Sequence, residues 1–137
     1  LPFDKAFYKL AGLDFSVRFD EFYFERDLEK EKEVLNTLNP TGENYIFVHD
    51  DASRGFSIDM NRIETEYKVI MNDKRFNVFD YITLIENAEE IHFMQSSFKE
   101  LMCSYKLDKP KLYQHNYVRQ YDESMNSSGL NPIIEIN

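Results

Sequence analysis

The stretch Phe79–Tyr117, FDYITLIENAEEIHFMQSSFKELMCSYKLDKPKLYQHNY, decides how the rest of the chain is read. Asn77 stands where it caps a helix carrying Phe79, Ile82, Leu84, Ile85 and Ala88. Ile91–Met94 is a short apolar run of strand length. Ser96 then opens a second helix, with Phe98, Leu101, Met102 and Tyr105 at helical spacing, and Pro110 leads into a further strand at Leu112-Tyr113. A strand followed by hydroxyl residues and a helix start is a place for an anion. The first backbone N–H groups of the helix have no partner inside it, and Ser96 and Ser97 set two hydroxyls beside them. The alternative is an ordinary helix cap, which a serine supplies with no ligand at all.

Working outward, Tyr45–Val48 is a continuous apolar run that reads as an interior strand, and Tyr67–Met71 is a second good strand segment. Phe56–Ile58 is weakly strand-like, and Ile133–Ile136 makes a last strand-like piece. Before them, Asp27 caps a helix with Val34, Leu35 and Leu38 on one face, stopped by Asn39-Pro40-Thr41-Gly42. Phe3, Phe7 and Leu10 fall at helical spacing up to Gly12, and Phe15, Val17 and Phe19 alternate with polar residues. Strands alternating with helices predict an α/β fold with a mostly parallel sheet of four to five strands. Residues 1–40 read as a helical or extended segment, a bridge toward another domain, and 41–137 as the sheet domain, in one compact unit overall.

A chain of 137 residues with 15% aromatics builds its own core, which excludes global disorder. The formal charge of −9 repels nucleic-acid phosphates at long range and argues against a nucleic-acid partner. It leaves room for a small phosphorylated ligand held by local groups. No apolar run spans a bilayer and no signal segment leads the chain, so no transmembrane segment is expected. The single cysteine, Cys103, lies in an apolar helical pattern and reads as a core residue. With no disulfide possible within the chain, a reducing, cytoplasmic compartment is expected.

Ligands of open α/β sheets bind beyond the carboxyl ends of the strands. That rule selects His49-Asp50-Asp51-Ser53-Arg54-Gly55, Asn72, Gln95-Ser96-Ser97 and His115-Asn116 with Arg119. Arg54 and Arg119 offer guanidinium forks for phosphate, and Gly55 lets the backbone come close. His49 is the candidate general base, the catalytic residues being otherwise unassigned. The bland reading pairs both arginines with carboxylates and leaves Asp50 or Asp51 capping a solvated turn. His49, Asp50, Asp51, His92 and His115 lack the HxH, HExxH or CxxC spacing of metal sites, and His92 reads as a buried, hydrogen-bonded core residue. GxGxxG, Walker A and G-x-S-x-G patterns are absent.

The run LIENAEEIHFMQSSFKELMCSYKLDKPKLYQHNY resembles the C-terminal, donor-side domain of two-domain glycosyltransferases of the GT-B architecture, the heptosyltransferase-like enzymes among them. The shared pattern is a helix ending at Ala88, a strand at Ile91–Met94, hydroxyl residues Ser96-Ser97 opening a helix, and Pro110 before the next strand. YIFVHDDASRGFSID is similar to the first strand and loop of such domains, and the likeness covers roughly residues 44–119 at the level of pattern. The heptosyltransferase-type helix start carries Asp-Ser-Gly and then His, where this chain has Gln95-Ser96-Ser97-Phe98.

The resemblance implies a three-layer Rossmann-like domain that binds a nucleotide-diphosphate sugar, with no further cofactor and no metal. It implies that Ser96, Ser97 and Arg54 meet the diphosphate, with Asn72 or Phe79 near the base or ribose. It also implies an acceptor domain on the N-terminal side, for which this chain has no room. The start at Leu1-Pro2 rather than Met fits a piece of a longer enzyme. Two other readings stand beside it: a noncatalytic interaction module or homo-oligomer using exposed aromatics, and a metal-dependent phosphate-ester hydrolase using His49 and Asp50.

Overall fold

The computed structural model describes residues 25–119 and 129–137. The helix and strand expected at Phe3–Leu10 and Phe15–Phe19 lie outside the described residues. Helix α1 (Leu28–Leu38) begins at Asp27, whose carboxylate accepts the Lys30 N–H at 3.0 Å. It ends at Asn39, and Gly42 takes a left-handed turn at φ 69° before strand β1 (Tyr45–His49). Strand β2 spans Lys68–Met71. Asn77 and Asp80 form a reciprocal capping box on a 3-10 turn, Val78–Tyr81, which runs into helix α2 (Ile82–Asn87). Strand β3 (Glu90–Phe93), helix α3 (Ser97–Ser104), strand β4 (Lys111–His115) and strand β5 (Ile133–Ile136) complete the order.

The five strands form one all-parallel sheet in the order β2-β1-β3-β4-β5. This is the expected α/β class, with every strand parallel. Successive side chains point to opposite faces, which divides the core. Tyr45, Phe47, Ile70, Ile91, Phe93 and Leu112 face one way and are covered by α1, α2 and α3 through Val34, Leu84, Ile85, Phe98 and Met102. Ile46 and Val48 face the other way, under Ile58, Ile63 and Val118. The covering layer there is the connection from β1 to β2, whose only helical pieces are the 3-10 turns Ala52–Arg54 and Met60–Arg62. Three layers result, and β1, buried on both faces, carries the unbroken apolar run that such a strand needs. Phe56–Ile58 makes no strand. Phe56 forms a single bridge with Asp51, closing a tight turn.

The connection from β1 to β2 crosses one face, while α2 and α3 cross the other. The strand order therefore reverses between β1 and β3. In a doubly wound sheet that reversal opens a crevice at the carboxyl ends of the two strands, because the flanking connections diverge to opposite faces. Cys103 is fully buried against α3's neighbours, as its apolar setting implies.

Candidate functional site

At the carboxyl end of β1 the chain turns through Asp50 into a closed loop. The Asp51 and Phe56 backbones exchange two hydrogen bonds of 3.0 Å, and Gly55 completes the turn at φ 87°. A Cβ on Gly55 would meet open space, so its glycine serves the left-handed backbone and not a close approach. Arg54 sits at the tip, 71% exposed, and pairs with Asp51 at 3.6 Å. Asp50 is buried. Its Oδ2 accepts the Ile58 N–H at 3.1 Å, so the carboxylate is turned into its own loop.

Asn72, just past β2, clips the same loop. Its amide donates to the Asp50 carbonyl at 2.9 Å and accepts the Asp50 N–H at 3.1 Å. Both ends of the Asn72 amide are thereby occupied by backbone, which makes it a positioning residue for the loop.

The carboxyl end of β3 runs through Met94 and Gln95 into α3. Ser96 holds the N-cap position with extended backbone, yet its hydroxyl makes no capping bond; it donates to the Met94 carbonyl at 3.4 Å. The start of α3 is therefore not closed by the side chain placed to close it. Ser97 is exposed on the first turn. Gln95 is 1% exposed, with Oε1 accepting from Lys99 at 3.4 Å and Nε2 buried without a hydrogen-bond partner. Buried amides are nearly always satisfied, so an orphan donor at a strand end marks a place for an acceptor.

Arg119 joins the two strand ends. Its Nη1 donates to the Gln95 carbonyl at 3.4 Å, and the guanidinium lies 5.2 Å from the centre of the Phe56 ring. Among the described residues it makes no ion pair, although the chain has 25 acidic side chains. The carboxylate pairing expected of a surface arginine holds for Arg54 and not for Arg119. Gln95, Ser96, Phe56 and Arg119 are thus the residues brought together at the reversal.

His49 has a different setting. Its ring stacks on Phe98 at 4.1 Å, nearly parallel, with Phe47 and Tyr81 edge-on beside it. Burial pushes its pKa down to about 4, so it is neutral near pH 7, and its Nδ1 has no hydrogen-bond partner. His92 and His115 lie on the opposite face of the sheet, bonded to each other. The set His49, Asp50, Asp51, His92 and His115 does not gather, and among the described residues no group of three or more His, Cys, Asp or Glu side chains is arranged to hold a metal ion.

A separate cavity of about 350 Å³ opens at the other end of the sheet, lined by Asn39, Gly42, Glu43, Tyr45, Asn87 and Lys109 among others. Several of its polar groups are already engaged: Lys109 with Asn87 and Glu89, and Asn39 with Glu43 and Lys68. It lies at the amino end of β1, away from the strand reversal. None of the described helices is long and apolar enough to cross a membrane. No protein-family model, no curated protein and no solved structure matches this chain.

Proposed function

We propose that the crevice between β1 and β3 binds the diphosphate of a nucleotide-sugar, and that the chain is the donor half of a glycosyltransferase. The carrying observation is Arg119, a guanidinium without a carboxylate partner among the described residues, held between the β3–α3 junction and the Phe56 turn. Beside it the start of α3 has no side-chain cap from Ser96, which leaves the positive end of the helix dipole uncapped just past β3. Arginine and helix terminus together supply what a leaving diphosphate needs, namely donors and positive potential fixed before charge develops. In this reading Ser96 and Ser97 add hydroxyl donors, Asn72 sets the loop, and Arg54 reaches the ligand only by leaving Asp51. The acceptor and the catalytic base come from another domain.

Thermal melts with UDP-, GDP- and ADP-sugars test this. A ligand at a hundred times its Kd adds about 2.7 kcal/mol to the folded state, a shift easily seen in a melt. Flat curves for all three at millimolar ligand contradict the proposal.

The interaction-module reading has its own support. Tyr67, just before edge strand β2, and Val69 and Met71 on it are 43%, 37% and 40% exposed, a run of apolar side chains beside an unpaired strand edge. Light scattering that finds a dimer, with no response to any nucleotide-sugar, favours that reading instead.

A further inference from the structure

A chain of hydrogen bonds crosses the face of the sheet opposite the helices. Glu90 Oε1 lies 2.9 Å from His92 Nε2, and His92 Nδ1 lies 2.8 Å from His115 Nε2. His115 Nδ1 lies 2.8 Å from the Tyr117 hydroxyl, which accepts the Asp59 N–H at 3.0 Å. With both imidazoles neutral, the carboxylate end fixes every proton along the chain. A backbone N–H only donates and a carboxylate only accepts. The hydrogen between His92 and Glu90 therefore belongs to His92 Nε2. His92 Nδ1 must accept from His115 Nε2–H, and His115 Nδ1 must accept from the Tyr117 hydroxyl. Three hydrogens serve three links, with both imidazoles neutral.

The far end of the chain holds a segment. Asp59–Arg62 is tied to Tyr117 by the Asp59 amide and by Arg62, which lies 4.1 Å over the phenol ring. Arg62 also donates to the Asn137 carbonyl at 2.5 Å. The same connection carries Asp50 and Phe56 at the candidate site.

We propose that the Glu90–His92–His115–Tyr117 chain is an acid-sensitive latch that holds the Asp59–Arg62 turn on the sheet and releases it when the imidazoles take up protons. One added proton reverses the links: His115 donates to Tyr117, and the phenol hydrogen is turned out of the chain. A second proton sets two N–H groups against each other across 2.8 Å, an arrangement that cannot persist. The charged and titratable groups facing the pair among the described residues are Glu90, with Lys111 beside it in register, Tyr113 stacked on His92 at 4.7 Å, Tyr117, Asp59 and Arg62. Burial, then His92, then Arg62 oppose charge on His115, and burial opposes it on His92 although Glu90 favours it. Control of the crevice by this latch rests on the ligand reading above; the latch itself does not.

The test is amide hydrogen exchange on the ligand-free protein, corrected for intrinsic rates, together with imidazole ¹⁵N shifts. Near pH 7.5 both rings are expected as Nε2–H tautomers. Below about pH 6 protection of the Asp59 amide falls by up to about tenfold per pH unit for each proton taken up on opening, and stays below that of Phe47 and Ile91, which open only with the whole fold. His115→Gln, which donates without titrating, removes the pH dependence at Asp59. Three results overturn the latch: Asp59 protection independent of pH, Asp59 protection equal to that of Phe47 and Ile91 throughout the pH range, or Nδ1–H tautomers near pH 7.5.

Discussion

Arg119 and Ser96 carry the ligand reading at the scale of single residues, and each makes a separable prediction. Replacing Arg119 by alanine removes a charge-assisted contact and is expected to weaken nucleotide-sugar binding about tenfold to a hundredfold, read by calorimetric titration. The melting temperature without ligand should hold, because Arg119 makes one long bond and a ring contact. Ser96→Ala separates cap from ligand contact. A working serine cap is worth about 1 kcal/mol, but the Ser96 hydroxyl bonds to Met94 and caps nothing. The loss of stability in urea should stay below about 0.5 kcal/mol, with ligand affinity falling several-fold. At this scale the sequence was informative about position and silent about partners. Ser96 and Arg119 could be picked out as strand-end residues, whereas the pairing of Arg54 with Asp51, and the lack of one for Arg119 among the described residues, depend on where the turn closes. Gly55, read as a glycine for close backbone approach, instead meets open space, and its left-handed φ is the physical reason for it.

Helices and strands were legible because apolar runs and breakers mark them directly: Asp27 before α1, Asn77 before the 3-10 turn, and the YIFV run of β1. What joins the elements was not. Glu31 looks like a solvated first-turn acid, yet it is fully buried where α1 meets α2. Its carboxylate takes a bidentate pair from Arg26, at 2.6 and 3.1 Å, and both the N–H and hydroxyl of Thr83 at 3.0 Å. Glu31→Ala leaves the Thr83 amide without that acceptor, while Arg26 keeps Glu86 at 3.0 Å. We expect a loss of about 2–3 kcal/mol in urea unfolding, discounted because Arg26 is partly exposed, and a smaller loss for Glu31→Gln. The approach of residue 129 to α3 is a second joint: a Cβ on Gly129 would lie 2.9 Å from the Cys103 Cα, beside the Leu130–Cys103 hydrogen bond. Gly129→Ala should cost about 1–3 kcal/mol by the same measurement, as overpacking against backbone does. The histidine chain escaped sequence reading for a related reason. His92 and His115 are 23 residues apart and meet only through the β3–β4 register.

For the whole molecule, the α/β class followed from alternation, but the strand order did not, because the face that each connection takes is decided by packing and leaves no mark in a single segment. The order β2-β1-β3-β4-β5 is what sets the ends of β1 and β3 side by side at the reversal. Stability should also depend on pH as a property of the whole fold. His49 and His115 are both held near pKa 4 against an ordinary 6.5. The unfolded chain therefore binds protons first as pH falls, so stability is complete above about pH 6.5 and drains toward pH 4, by at most about 1.4 kcal/mol per pH unit for each histidine. Urea midpoints should hold from pH 7.5 to about 6.5 and fall from there to pH 5; a constant midpoint over the whole range contradicts the buried neutral setting of both rings. The central claim, a diphosphate at the reversal between β1 and β3, is tested most directly by mapping backbone amide shifts in an NMR titration with a nucleotide-diphosphate sugar. The account predicts saturable shifts concentrated at Ser97, Phe98, Phe56 and Arg119. Shifts confined to the Asn39–Asn87 cavity, or none at millimolar ligand, would contradict it.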